Sequence, residues 1–172
     1  AIDDGTVANT FNSEIPRILK EKRKEIAEKR KAFNALLEES EKVQDAGRKS
    51  IDFANSVTEN INKLTTVVKG KKDIESSEKQ NLISALESSK KDIIATAKKT
   101  ETQIAKTEKI IESSKSNSSA GSKDVSQKVS KELIVVQTAN QDMMVTLNLS
   151  IQTIKSIFEQ TNIEPKLISS LQ

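Results

Sequence analysis

Hydrophobic and small side chains recur through the first third of the chain at alternating spacings of four and three residues. An average spacing of 3.5 residues keeps one face of a helix against a partner helix, as in coiled coils. The pattern predicts one helix over residues 13–69, with Ser13 as its N-cap and Pro16 in its first turn. Its inward positions, termed the α1 stripe, are Ile15, Leu19, Lys22, Ile26, Lys29, Phe33, Leu36, Ser40, Val43, Gly47, Ser50, Ala54, Val57, Ile61, Leu64 and Val68.

Two further stretches repeat this spacing and predict helices over residues 74–115 and 123–161. The second helix is the most polar, and its inward positions are Ile83, Leu86, Lys90, Ile93, Ala97, Thr100, Ile104, Thr107, Ile111 and Ser114. The third is the most apolar, and its inward positions are Val129, Leu133, Val136, Asn140, Met143, Leu147, Ser150, Ile154 and Ile157. Asn140 at such a position is typical of a residue that fixes helix register.

The connections predict how these helices are arranged. Gly70 ends the first helix, and the short segment after it, with Asp73 as the next N-cap, favours reversal of the chain. The serine-rich residues 113–122 form a longer connection, after which Ser122 caps the third helix. The sequence therefore predicts an all-α protein, an elongated antiparallel three-helix bundle of up-down-up course with coiled-coil packing. We expect residues 1–12 to be a lead-in, residues 13–161 the bundle, and residues 162–172 a short C-terminal helix behind a Thr161–Glu164 capping box.

Two details of the first helix refine this picture. Gly47 lies on the α1 stripe, where it predicts close approach of a neighbouring helix or, alternatively, a kink. The helix also exceeds its partners by about 15 residues, or ~22 Å. Its excess end is therefore either bare or covered by the C-terminal helix or by another subunit.

Composition argues against catalysis. The chain has no Cys and no His, only 4 Phe, and neither Trp nor Tyr. These absences remove the thiolate nucleophile and the commonest general base and metal ligands. The acidic runs at residues 38–41 and 75–78 indicate solvated helix surface. We therefore expect no enzyme activity, no cofactor, no metal and no small-molecule substrate.

A basic run covers residues 17–31, where eight basic and three acidic residues give +5 against +3 for the whole chain. One interpretation is contact with an anionic surface through Arg17, Lys20, Lys24, Arg30 and Lys31. The other is a solvated helix face that carries pairs such as Glu25 and Lys29.

The third helix offers a second candidate surface. Between Leu133 and Ile154 only Asp142 is charged, although several apolar residues lie off the inward positions. They form a candidate partner or oligomer surface or, alternatively, ordinary core: Ile134, Val135, Met144, Val145, Leu149 and Ile151.

These observations lead to three functional hypotheses. The first is a non-enzymatic coiled-coil protein that binds a protein partner or self-associates. The second is a secreted membrane-acting helical protein, such as a pore-forming toxin component, that contacts a membrane surface. Nucleic-acid binding through the basic run ranks last. The chain begins with Ala1, which is compatible with removal of a signal peptide, trimming of an initiator Met or excision of a domain. We expect a secreted or cell-surface protein, with a cytoplasmic one as the alternative.

Overall fold

The computed structural model describes the backbone of residues 4–116 and 122–159, and the side chains of residues 14–115 and 122–159. These residues form three helices: α1 (Asp4–Gly70), α2 (Ser76–Ser116) and α3 (Lys123–Glu159). No strand occurs in the described ranges. Each helix packs against both of the others, so the protein is all-α and consistent with a three-helix bundle.

The core consists of two apolar clusters at different heights along the helices. The larger joins the C-terminal half of α1 to the start of α2 and the end of α3, and includes Ile61, Leu86 and Leu147. The smaller lies towards the other end and contains Phe33, Ile111, Val129 and Leu133. Between them the packed side chains are more polar: Gln44, Thr100 and Thr107 are all buried. The bundle therefore has two apolar ends and a polar middle.

The predicted α1 stripe agrees with the observed burial over the part of α1 that has partners. The buried positions of the stripe are Phe33, Ser40, Gly47, Ala54, Val57, Ile61, Leu64 and Val68. Leu36, Val43 and Ser50 are half-buried. The stripe positions before Phe33 are exposed, because α2 and α3 do not reach along that part of α1.

Burial corrects the prediction at two places where neighbouring residues compete for the inward position. At the start of α2, Leu82 and Ser89 are buried, whereas the predicted Ile83 and Lys90 are half-buried. At the end of α3, Phe158 is buried and the predicted Ile157 is half-buried. In each case the prediction is displaced by one residue.

The helix ends show which capping predictions hold. Ser122 caps α3 as predicted, since its Oγ accepts a hydrogen bond from the Val125 backbone N–H at 3.3 Å. Gly70 ends α1 as predicted. The Ser13 N-cap is wrong, because α1 begins at Asp4 and continues through Pro16. The Asp73 cap is also wrong: the Lys79 N–H bonds the Glu75 carbonyl at 2.9 Å, so α2 begins later. The predicted capping box and short C-terminal helix over residues 162–172 lie outside the described residues.

Gly47 marks the close approach of α1 and α2. A Cβ atom added there would lie 2.8 Å from Cδ1 of Ile104 in α2. Because α1 is a continuous helix through this position, the prediction of a close helix contact is confirmed.

Candidate interaction site

The N-terminal part of α1 extends beyond its partners. Every residue from 14 to 32, termed the α1 extension, is exposed, and Phe33 is the first buried residue that follows. Ile15, Ile18, Leu19 and Ile26 are 46–53% exposed. The α1 extension is 19 residues long, or ~28 Å. Three of the four apolar residues continue the α1 stripe, so this part of the helix carries an apolar face of the kind that elsewhere in α1 contacts a neighbouring helix.

The five predicted anionic-surface residues are all exposed, but they do not form one patch. Arg17, Lys24 and Lys31 are spaced by seven residues, so in the coiled-coil repeat they share the side farthest from the α1 stripe. Lys20 lies between that side and the stripe, and Arg30 lies next to the stripe. The structure therefore separates Arg30 from most of the set.

Arg23 belongs beside Arg30, although the sequence analysis did not select it. Residues 23, 30, 37 and 44 are spaced by seven and share one side of α1. Leu37 and Gln44 line a groove with Ile111 and Lys115 of α2, so this is the side that faces α2. The seven-residue spacing to Leu37 was the signal in the sequence that could have found Arg23.

Acidic residues lie on another side of the α1 extension. Glu14, Glu21 and Glu28 are spaced by seven residues and so form a second charged row, which does not coincide with Arg23 and Arg30. Two ion pairs lie within the extension: Arg17 to Glu14 at 2.6 Å and Lys29 to Glu25 at 3.3 Å. In the described residues Arg23, Arg30 and Lys22 make no ion pair, so their charges face solvent.

The candidate surface on α3 is divided by the structure. Four of its residues are 44–61% exposed: Ile134, Val135, Val145 and Leu149. They are termed the α3 outer face. Met144 is half-buried and packs against the larger apolar cluster. Ile151 is buried within that cluster, so it lies in the core, which was the alternative interpretation. One helical turn separates Ile151 from Leu147, and both face the core.

Open grooves lie between the helices. A groove of about 460 Å³ between α2 and α3 is lined mainly by small side chains, including Ala85, Ser88 and Thr146, with Leu149 at its edge. A groove of about 370 Å³ between α1 and α2 contains Arg48, which pairs with Asp45 and with Glu108 of α2.

Within the described ranges, no group of three His, Cys, Asp or Glu residues is arranged to hold a metal ion. None of the described helices combines the length and the hydropathy required to cross a bilayer. The two apolar surfaces, the stripe on the α1 extension and the α3 outer face, are thus the candidate sites that the geometry offers.

Comparisons of the chain with models of protein families, with curated proteins and with solved structures found no match.

Proposed function

We propose that this chain is a non-catalytic helical-bundle protein that acts by binding another protein. The observation that carries the proposal is the α1 extension, where Ile15, Leu19 and Ile26 continue the α1 stripe but are about half exposed. Fully burying a side chain of this size is worth about 1.5–3 kcal/mol. A helix laid along the extension would therefore gain free energy by covering it.

The proposal includes an up-down-up course of the three helices. Leu37 lines a groove with Ile111, whereas Gly47, farther along α1, lies against Ile104. Residue numbers therefore fall along α2 as they rise along α1, which supports antiparallel α1 and α2. Gln103 Nε2 donates to Glu132 at 2.7 Å and Thr100 Oγ1 to the Ala139 carbonyl at 3.3 Å, which supports antiparallel α2 and α3. A short C-terminal helix over residues 162–172 is also part of this proposal.

A photo-crosslinking amino acid placed at residue 19 of the full chain tests the proposal. In extracts of the source organism it should crosslink a partner that the same amino acid at Lys42, exposed but alongside the packed bundle, does not. The partner is then purified, and its affinity is measured for the native chain and for Ile26→Glu. Loss of affinity in Ile26→Glu, with unchanged helicity, supports the proposal. Equal affinity for both chains contradicts it.

A second candidate function is action at a membrane surface, favoured by the α3 outer face. Its four apolar side chains lie on the most apolar helix, and such a helix can insert its apolar side at a lipid interface. A secreted or cell-surface location belongs to this candidate. Dye release from anionic and neutral vesicles tests it, with Leu149→Glu as the variant. Release that Leu149→Glu abolishes would favour the membrane candidate over the first.

A further inference from the structure

The stripe on the α1 extension has different charges on its two sides, and this asymmetry indicates what covers it. Arg23 and Arg30 lie on the side that faces α2 farther along the helix, where Leu37 and Gln44 contact the groove with α2. Lys22 and Lys29 lie on the stripe itself. The face that continues the α2-binding side therefore has three apolar residues and two lysines along its middle and arginines at its edge.

The resident α2 shows how α1 recognises a helix on this side. Arg48 pairs with Glu108 across the α1–α2 contact. Arg48 is separated from Lys20 by a multiple of seven residues, so the two lie on the same side of α1. Basic residues on this side of α1 thus meet a carboxylate on the packed helix. Arg23 and Arg30, on the same side, have no carboxylate partner in the described ranges.

Residues 160–172 are too few to reach the stripe on the α1 extension. Phe158 packs in the cluster that contains Leu64 and Val68, at the end of the bundle away from the α1 extension. Along α1, Val68 lies 42 residues from Ile26, or ~63 Å. Residues 160–172 span at most ~47 Å when fully extended. Residues 160–172 therefore do not supply the occupant.

A second copy of the chain is also a poor match. In a parallel pair, Lys22 would meet Lys22 and Lys29 would meet Lys29, and beyond Phe33 the two bundles would compete for the same space. In an antiparallel pair, the arginine-bearing sides of the two copies would face each other, since the corresponding flanks meet in that arrangement. Like charges opposed in this way are destabilising.

On the basis of the proposed function, we propose that the α1 extension binds an acidic amphipathic helix of another protein. This helix takes, along residues 15–29, the position that α2 takes farther along α1. Its apolar residues cover Ile15, Leu19 and Ile26, and its carboxylates face Arg23, Arg30 and Lys22. About five helical turns are enough to cover the ~28 Å of the extension.

The acidic row on the α1 extension decides against an anionic membrane or a nucleic acid. Both ligands present negative charge over a broad surface and would also contact the side with Arg17, Lys24 and Lys31. Glu14, Glu21 and Glu28 form the row next to that side and would repel such a surface. A single helix is narrow enough to contact the arginine side alone. The 3.5-residue spacing of the stripe is also what a helical ligand requires.

A pair of synthetic peptides tests the inference on the full chain. Both peptides have three heptads, with Leu at the two inward positions of each heptad. The two positions that flank the inward ones and the two next to those carry Glu in one peptide and Lys in the other. We expect the Glu peptide to bind at least about tenfold more tightly than the Lys peptide in fluorescence anisotropy. The double variant R23E/R30E should reverse this preference.

Two matched double variants control for total charge. K42E/K49E changes the net charge by the same amount at exposed positions alongside the packed bundle, and it should keep the preference for the Glu peptide. K24E/K31E makes the same change in net charge on the side of α1 that is farthest from the stripe. If it weakened Glu-peptide binding as much as R23E/R30E, recognition would depend on charge alone and the inference would be wrong.

Other outcomes overturn the inference without affecting the proposed function. These are failure of the native chain to bind either peptide, equal binding of both, and binding of phosphatidylglycerol vesicles or duplex DNA in preference to the Glu peptide. In each case a partner crosslinked through residue 19 would still support protein binding. Conversely, if Leu19→Glu leaves Glu-peptide binding unchanged, the stripe is not the site and both proposals fail.

Discussion

At the scale of single residues, the contact between Gly47 and Ile104 gives a sharp test of how closely α1 and α2 pack. Gly47→Ala should gain about 1 kcal/mol of helix propensity, but its Cβ would lie 2.8 Å from Ile104 Cδ1. Removing that atom with Ile104→Val makes room. We therefore expect Gly47→Ala to stabilise the Ile104→Val protein by about 1 kcal/mol, and the native protein by less.

Urea unfolding of the native protein, both single variants and the double variant measures this coupling. The double-mutant cycle should give a favourable interaction of about 0.5 kcal/mol or more. Additive effects would mean that the two helices are not in contact at this height. Gly47→Leu serves as the overpacked control and should destabilise by about 1–3 kcal/mol.

A second residue-scale prediction concerns the polar middle of the bundle. Gln44 is 6% exposed, and its Nε2 has no hydrogen-bond partner in the part of the protein that the structure describes. Leaving a buried polar group unpaired costs about 1–3 kcal/mol. Gln44→Met should therefore raise the free energy of unfolding by about 1 kcal/mol.

Chemical denaturation of Gln44→Met against the native protein measures that gain. The matched control is Gln137→Met at an exposed position of α3, which should change stability by less than about 0.5 kcal/mol. Destabilisation by Gln44→Met would show that the amide makes favourable contacts which methionine cannot replace.

At the scale of helices, the sequence predicts the stripes well and their ends poorly. Spacing identifies Ala54 to Val68 as inward because the alternative through Phe53 and Val67 would place Asn60 inward instead of Ile61. It fails at Leu82 and Ile83, and at Ile157 and Phe158, because two neighbouring apolar residues both fit the pattern and only packing against the other helices decides between them. The Ser13 cap fails because Pro16, which is typical of a first turn, lies inside α1, and the helix begins at Asp4.

The candidate site could be predicted in part from the length of the first helix and the spacing of its apolar residues. The excess length of the first helix and its continued stripe pointed to an uncovered end, which the exposed Ile15 and Ile26 agree with. Net charge alone grouped Arg17, Lys24 and Lys31 with Arg30, whereas the helical repeat divides them between two sides. Knowing which side faces α2 required the groove that Gln44 lines together with residues of that helix.

Hydrogen exchange should divide α1 into three levels of protection. Most helical stability in proteins comes from tertiary packing, and residues 14–32 are all exposed, so their amides should exchange fastest. Amides near the smaller cluster, around Phe33 and Val129, should be intermediate. Those of residues 54–68, packed in the larger cluster, should be slowest.

Mass-spectrometric exchange over peptides of α1 measures these levels. The α2 and α3 segments that meet the larger cluster, residues 82–97 and 143–158, should match the slow α1 segment. Uniform protection along α1 would contradict the division into two clusters and a bare extension. If adding the Glu peptide increased protection only at residues 14–32, this would be a further sign of binding there.

At the scale of the whole molecule, the length of α1 sets the dimensions. Its 67 residues form a helix about 100 Å long. With α2 and α3 alongside only part of that length, we expect a radius of gyration of about 26 Å. A compact domain of this size would have a value of about 16 Å. Small-angle X-ray scattering distinguishes the two, and a value near the compact one would exclude a straight α1.

The state of association follows from how charge is distributed over the molecule. Because Lys22, Lys29, Arg23 and Arg30 oppose self-pairing of the α1 extension, the native chain should be a monomer of 19.0 kDa. Light scattering after size exclusion at about 10–100 μM and moderate salt checks this, since the repulsion is screened over ~10 Å at 0.1 M salt. A dimer that persists in Leu19→Glu but dissociates in Ile134→Glu would assign self-association to the α3 outer face. A dimer lost in Leu19→Glu would instead mean that the stripe on the extension outweighs its charges, and the partner of α1 would then be a second copy.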